Sequence, residues 1–170
     1  RMRLQLLSSA TIRLKEMFAN GACDIILTTE PSCDGAGEVL VEKPLVWFGA
    51  PGGTAWQRRP LPIASEPRCT FRRPMQEALD REGIGWDMAV DSDSTSTVTA
   101  TVSADFAVLS MLAGTAPPQL EQVQHHGALP DLGTFNINLF VTDAQKGKVL
   151  NDLADLVRNA YRAPHLALTA

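Results

Sequence analysis

One order of residues recurs along this sequence and constrains its fold more than any other feature: a short apolar run, then hydroxyl-rich residues, then a turn or a helical pattern. LQLL precedes Ser8 and Ser9, DIIL precedes Thr28 and Thr29, LPIA precedes Cys69 and Thr70, and MAV precedes Ser94, Thr95 and Ser96. Short apolar runs are typical of buried strands, and hydroxyl side chains are typical of helix starts. This order predicts an α/β fold in which strands and helices alternate.

The first part of the chain predicts a strand, a helix and a second strand. LQLL is typical of a buried strand, and SSATIRLKEMFANG of a helix that starts at a serine and ends at Asn20 and Gly21. CDIILTT is almost continuously apolar, which is typical of a strand covered on both faces. Three such elements within about 25 residues predict a right-handed crossover in a parallel sheet.

The rest of the chain predicts further strands and two clear helices. Strands are predicted in EVLVEKPLVWFG, with an interruption at Pro44, and in LPIA, GWDMAV and FNINLFV. The helix in PRCTFRRPMQEALDREGI should bury Met75, Ala78 and Leu79 and end at Gly83, and QKGKVLNDLADLVRNAYRA carries the clearest helical periodicity. GAPGG is interpreted as a turn, and the segment from residue 116 to 133 as irregular.

The segment TSTVTATVSADF allows two interpretations. Val98, Ala100 and Val102 alternate with threonines as in a strand, whereas Ser94 or Thr95 could cap a helix that runs to Ala104. From the residues alone both remain open.

Composition limits the class of protein. A chain of 170 residues with 45% hydrophobic and 20% charged residues can bury a substantial core. Its net charge of −4 argues against direct binding to a nucleic-acid backbone, and no apolar run approaches the ~20 residues of a membrane span. Cys23, Cys33 and Cys69 fit neither a disulfide framework nor a zinc motif, so reduced thiols in a cytoplasm are expected. Because Met2 follows Arg1, we expect that natural sequence precedes this chain.

Arginines cluster where the second helix begins. Arg72 and Arg73 in a first helical turn should each cost about 0.3–1 kcal/mol unless an anion lies nearby. That anion could be a neighbouring carboxylate or a ligand. In open α/β sheets small ligands bind at the carboxyl ends of strands, where helix N-termini present N–H donors. Four hydroxyl-rich junctions in one chain therefore predict a shared ligand cleft.

Other candidate sites are weaker. His125 and His126 lack a third metal ligand at a suitable spacing, so no metal site is predicted. Cys69 lies beside arginines that could lower its pKa, but no catalytic signature surrounds it. Asp87, Asp91 and Asp93 are interpreted as solvated or capping residues. We predict no catalytic residue and no cofactor.

Several pieces of the sequence, taken in order, resemble the effector-binding domain of LysR-type transcriptional regulators. They are LKEMFANGACDIILTT, EKPLVWFGAP, PLPIASEPRCTFRRPMQEALDREGIGW, TATVSADFAVLSM and ALPDLGTFNINLFV, and they cover nearly the whole chain. No single piece is specific, but the ordered set is.

The resemblance implies the two-lobed type 2 periplasmic-binding-protein fold, with two α/β lobes joined by two crossing strands. Residues 1–43 and 136–170 would form lobe I and residues 44–135 lobe II, without the family's first strand and helix. A small anionic effector would bind in the inter-lobe cleft and act on promoter DNA through a separate N-terminal winged helix-turn-helix. The full-length protein would be a cytoplasmic homodimer or tetramer. An exported solute-binding protein or an enzyme on this fold are the alternatives.

The resemblance also implies which residues line the cleft. It makes Ser94 a helix cap and places SADFAV where the family has a Gly-x-Gly turn. We expect an effector to be bound through helix N-termini, hydroxyls and at least one of Arg68, Arg72 and Arg73. The cleft-lining positions are Ser8, Ser9, Thr28, Thr29, Arg68, Cys69, Thr70, Phe71, Arg72, Ser94, Thr95, Ser96 and Phe106.

Overall fold

The computed structural model describes residues 4–142 and 147–162. Its elements, in chain order, are α1 (Thr11–Ala19), β1 (Ile25–Glu30), β2 (Glu38–Gly49), a short 3-10 turn (Ala55–Gln57), β3 (Leu61–Ser65), α2 (Arg72–Arg81), β4 (Trp86–Asp91), α3 (Thr95–Ser103), β5 (Leu109–Leu112), β6 (Glu121–Gln122), β7 (Thr134–Val141) and α4 (Lys148–Arg162).

These elements form two compact α/β units. Unit 1 comprises Arg1–Glu42 and Asn136–Ala170, and unit 2 comprises Lys43–Phe135. The strands β2 and β7 each run from one unit into the other. Two α/β units joined by two crossing strands are the architecture that the resemblance implied.

Unit 1 is built on an antiparallel pair of strands. β1 pairs with β7 from Ile25 opposite Val141 to Glu30 opposite Asn136. The helix α1 packs on β1, and the Phe18 ring meets the Phe140 ring edge-on at 6.1 Å between centroids. As predicted, α1 ends at Asn20 and Gly21. The predicted last helix is confirmed as α4, while residues 145, 146 and 163 of that prediction lie outside the described residues.

Four predictions for unit 1 are wrong. LQLL is not a strand, since no described strand pairs with it and Leu6 is 87% exposed. A strand needs hydrogen bonds to a neighbouring chain segment, which an apolar pattern cannot supply. Ser8 and Ser9 precede the helix without capping it, because the cap position belongs to Ala10. The predicted parallel crossover does not occur among the described residues, where β1 pairs antiparallel with β7. The prediction that this strand is covered on both faces is wrong too, because Leu27 is 37% exposed.

Unit 2 combines an antiparallel and a parallel arrangement. β2 pairs antiparallel with β5 and β6, whereas β3 and β4 run parallel, with α2 between them in the chain. Pro44 does not interrupt β2, because its carbonyl accepts a hydrogen bond from Ala113 N at 2.9 Å. The core contains Phe48, Ala64, Val98, Val102, Ala107, Leu109 and Leu120. As predicted, α2 buries Met75, Ala78 and Leu79 and ends just before Gly83.

The ambiguous segment is a helix. Ser94 Oγ caps α3 by accepting a hydrogen bond from Thr97 N at 3.3 Å. Val98 and Val102, four residues apart, are buried on the same face of the helix, which excludes the strand interpretation. After α3 the chain turns at Asp105, whose φ of 59° is the left-handed conformation that glycine usually adopts.

Candidate functional site

Two strand-to-helix junctions lie side by side in unit 2. Because β3 and β4 are parallel neighbours, their carboxyl ends, Ser65 and Asp91, are adjacent in the register. The helices α2 and α3 follow those two strands along the chain. The predicted ligand contacts at residues 68–72 and 94–96 lie at these two junctions.

The side chains at these junctions pair crosswise. Arg72 is the first residue of α2, and its Nη1 and Nη2 donate to Oδ1 and Oδ2 of Asp91, at the end of β4, at 2.8 and 3.3 Å. Thr95 is the first residue of α3, and its hydroxyl donates to Oε1 of Glu66, just after β3, at 2.5 Å. Each helix is therefore tied to a carboxylate from the other strand's junction.

These contacts identify the anions that offset the arginine cluster. Arg72 has Asp91, and Arg73 Nε pairs with Glu77 one turn along α2 at 2.6 Å. Arg68 is exposed, and within residues 4–142 and 147–162 no carboxylate forms an ion pair with it. Of the two possibilities left open by the sequence, neighbouring carboxylates are the ones observed.

The neighbouring groups at these junctions shift the pKa values of Asp91 and Cys69. The hydrogen bond from Arg72 holds the pKa of Asp91 below its ordinary value. Burial raises the pKa of the Cys69 thiol, and the nearby charge of Glu66 acts in the same direction. The sequence-based suggestion that the pKa of Cys69 is lowered is therefore wrong, because burial is the largest influence on this thiol. A neutral thiol is a poor nucleophile.

The remaining predicted residues of unit 2 occupy the same two junctions or the turn after α3. Ser94 and Ser96 share a hydrogen bond of 2.9 Å between their hydroxyl oxygens. Thr70 is partly buried, and the Phe71 ring meets the Phe135 ring edge-on at 5.3 Å between centroids. Phe106 follows Asp105 and is 65% exposed. Cys69 and Thr70 do not cap α2, whose cap position is Phe71.

In unit 1 the hydroxyl that reaches the end of β1 belongs to a residue that the sequence analysis missed. Thr11 Oγ1 accepts from Thr29 N at 3.2 Å and donates to Thr29 O at 3.4 Å. Thr28 is buried, and its hydroxyl donates to Glu30 Oε2 at 2.7 Å. Ser8 is exposed and Ser9 partly so. Thr11 stands in a serine- and threonine-rich segment, but only the folded chain shows which of these hydroxyls faces β1.

A second missed residue is Asn138, buried in the middle of β7. Its Nδ2 donates to Glu30 Oε2 at 3.4 Å and to Ser32 O at 3.1 Å, and Lys15 Nζ donates to Glu30 Oε1 at 2.7 Å. Both partners of Nδ2 are acceptors, so the amide cannot be turned around without placing oxygen against oxygen. Asn138 Oδ1 has no hydrogen-bond partner within the described part of the chain. The available signal was a polar residue inside the apolar run FNINLFV.

Other features of the described residues do not form a second chemical centre. His125 Nδ1 accepts a hydrogen bond from Leu129 N at 3.2 Å, and burial lowers the pKa of that imidazole. Across residues 4–142 and 147–162 no three His, Cys, Asp or Glu side chains are grouped to hold a metal ion.

None of the helices described is long and apolar enough to cross a bilayer. An open groove of about 440 Å³ lined by Val46, His125 and Pro130 contains none of the predicted site residues.

Two α/β units joined by two strands are the architecture of a class of protein, the two-lobed α/β domains of periplasmic-binding-protein type. The chain is similar to the regulatory domain of HypT from Salmonella typhimurium in its apo-form, with 12% identity over 92% of this chain and 81% of that chain and a TM-score of 0.69. A model of the LysR substrate binding domain matches residues 1–162. The chain therefore belongs to the LysR substrate-binding-domain family.

Two further solved structures contain named ligands. The Synechocystis PCC6803 CcmR regulatory domain in complex with 2-PG is 10% identical, covers 91% of this chain and 81% of its own, and has a TM-score of 0.62. The effector-binding domain of QuiR in complex with shikimate is 11% identical, covers 91% and 79%, and has a TM-score of 0.61. At these identities the similarity shows a shared fold. Among curated protein sequences, none matches this chain.

Proposed function

We propose that this chain is the ligand-sensing domain of a bacterial LysR-type transcription regulator and that its effector is a small, anionic molecule. The observation that carries the proposal is the family match over residues 1–162. The complexes of CcmR with 2-PG and of QuiR with shikimate support it, because both bound molecules are small and polar. The proposed role is regulatory, without catalysis by this chain.

The proposed contacts in unit 2 follow from the charges and hydroxyls at the junctions. Arg68 is exposed and lacks an ion pair among the described carboxylates, so its guanidinium is available to an acid. Thr70, Ser94 and Ser96 supply hydroxyl groups from the same two strand-to-helix junctions. The contacts assigned to Ser8, Ser9, Thr28 and Thr29 in unit 1 remain predictions from the sequence.

The wider assignment belongs to the same proposal. Residues 1–43 with 136–170 are regulatory lobe I, and residues 44–135 are regulatory lobe II. Promoter DNA is contacted by a separate winged helix-turn-helix domain of the full-length protein, because the acidic charge of this chain opposes direct binding. The full-length regulator is a cytoplasmic homodimer or tetramer.

Ligand-induced thermal stabilisation tests the proposal. A panel of small carboxylic acids should include at least one compound that raises the Tm of the wild-type chain, because a ligand that binds only the folded state stabilises it. The double variant Arg68→Ala, Thr70→Ala should lose that shift. Arg81→Ala removes the same charge at the far end of α2 and should keep it. Equal shifts in all three proteins would remove the assigned site.

A further inference from the structure

We infer that Asp91 is an internal competitor for the effector: its carboxylate occupies the Arg72 guanidinium, and an acidic effector binds Arg72 only by displacing it. This inference rests on the proposed function and concerns the specificity of the same site. Asp91 thereby has a role beyond that of the solvated or capping residue predicted from the sequence.

The geometry of the pair is that of a bound carboxylic acid. Two guanidinium nitrogens of Arg72 face the two oxygens of Asp91, at 2.8 and 3.3 Å. This two-point arrangement is the way in which arginine recognises carboxylate ligands. Asp91 is the last residue of β4, whereas Arg72 begins α2. The carboxylate that occupies the ligand position on Arg72 therefore belongs to a neighbouring strand.

Exposure indicates which partner can leave. The Arg72 side chain is 22% exposed and that of Asp91 is 51% exposed. The guanidinium is therefore the fixed partner, and the carboxylate approaches it from the solvent side. Exposed ion pairs contribute little net stability, because both ions are well hydrated when apart. An external acid with additional contacts can consequently replace Asp91.

The second crosswise contact extends the argument to the class of ligand. Glu66 accepts a hydrogen bond from the Thr95 hydroxyl, so each of the two neighbouring junctions contains a carboxylate of the protein itself. A bare monocarboxylate gains nothing over Asp91 and is repelled by Glu66. The ligand that these junctions favour is a small acid with at least one further polar group, able to reach Arg68 or the hydroxyls of Ser94 and Ser96.

The experiment compares Asp91→Asn with the wild-type chain and with the matched control Glu77→Gln. The control removes an equal charge from a pair on the exposed face of α2, with Arg73. The probes are L-malate, which has a hydroxyl and two carboxylates, and acetate, which has one carboxylate, at constant ionic strength. Dissociation constants are measured by NMR titration, and the side-chain Nη–H signals of Arg72, the groups that contact Asp91, report on its partner.

Competition predicts that Asp91→Asn binds malate about two- to fivefold more tightly than wild type, the range in which exposed ion pairs contribute. Glu77→Gln should match wild type, acetate should bind more weakly than malate, and malate should shift the Arg72 signal in the wild-type chain. Equal or weaker malate binding by Asp91→Asn overturns the inference, as does an Arg72 signal that malate leaves unchanged. The absence of malate binding in all three proteins overturns it too.

The proposed function is judged separately. If an acid from the wider panel stabilises the wild-type chain and Arg68→Ala, Thr70→Ala abolishes the shift, the sensor assignment stands even when Asp91→Asn changes nothing, and only the competition fails. If no acid of the panel stabilises the chain, the sensor assignment fails, and the competition that rests on it fails as well.

Discussion

The carboxylate of Asp105 accepts a hydrogen bond from the backbone N–H of Ala55 at 2.9 Å, although the two residues are 50 positions apart in the sequence. The same carboxylate accepts from Thr54 N at 3.0 Å and from the Thr54 hydroxyl at 3.2 Å. Asp105 thus caps a helical turn that lies elsewhere in the chain. Asp105 adopts a left-handed φ of 59°, a conformation that aspartate tolerates better than most residues.

Asp105→Ala should lower the free energy of unfolding by roughly 2–3 kcal/mol. The substitution removes the cap, and it leaves an alanine in the left-handed conformation without any side-chain hydrogen bond to stabilise it there. Asp105→Asn tolerates that conformation and keeps one acceptor oxygen, so it should lose about half as much. Urea unfolding of the three proteins measures the difference. Equal losses would show that charge, rather than capping, is the main contribution.

Acid should destabilise unit 1 through Glu30. Burial alone would raise the pKa of Glu30, but hydrogen bonds from Lys15, Thr28 and Asn138 lower it below the ordinary value of 4.5. A carboxyl group whose pKa is lower in the folded state contributes stability above its unfolded pKa and loses it as the pH falls through the folded pKa. The free energy of unfolding should therefore decrease as the pH falls below about 4.5.

The variant Glu30→Gln isolates this contribution. Since glutamine does not titrate, the variant should be less stable than wild type at pH 7 and should converge with it in acid. Glu82→Gln makes an equal charge change outside the Glu30 network and serves as the control. Parallel pH profiles for wild type and Glu30→Gln would contradict the assignment.

Ser94 should stabilise α3 from its cap position. Ser94→Ala removes the acceptor for Thr97 N and should cost about 1 kcal/mol, the typical value for a lost cap. Ser94→Asp restores an acceptor and should recover most of the loss. Ser103→Ala, in the last turn of the same helix, tests whether removal of any hydroxyl matters, and it should change stability by less than about 0.5 kcal/mol. Thermal unfolding monitored by circular dichroism is a suitable measurement.

Gly37 should resist substitution for a reason of packing. A Cβ at this position would lie 2.6 Å from Cys33 Sγ and 2.6 Å from the Phe140 ring. Gly37→Ala should therefore destabilise the protein by about 1–3 kcal/mol, as overpacking does. Gly85→Ala is the matched control, because nothing lies within 4 Å of its Cβ and its φ is not in the left-handed region, so it should be neutral or slightly stabilising. Equal unfolding midpoints for the two variants would remove the packing explanation.

Where local patterns suffice, the sequence predicts this fold well. The strands β3, β4 and β7 and the helices α2 and α4 stand where their periodicity and turn residues placed them. The carboxyl ends of β3 and β4 could be placed side by side because parallel neighbours share an edge. The ordered resemblance also resolved α3, which periodicity alone left ambiguous.

These local patterns do not predict which residues contact each other in the folded chain. LQLL has a strand's composition but no described neighbour to pair with, and the hydroxyl that meets β1 belongs to Thr11 rather than to Ser8 or Ser9. The sequence showed positive charge at the start of α2 and required an anion near it. Only the tertiary structure decided that Asp91 supplies it at Arg72, because an ion pair depends on the distance between side chains from different elements, which spacing along the chain does not determine.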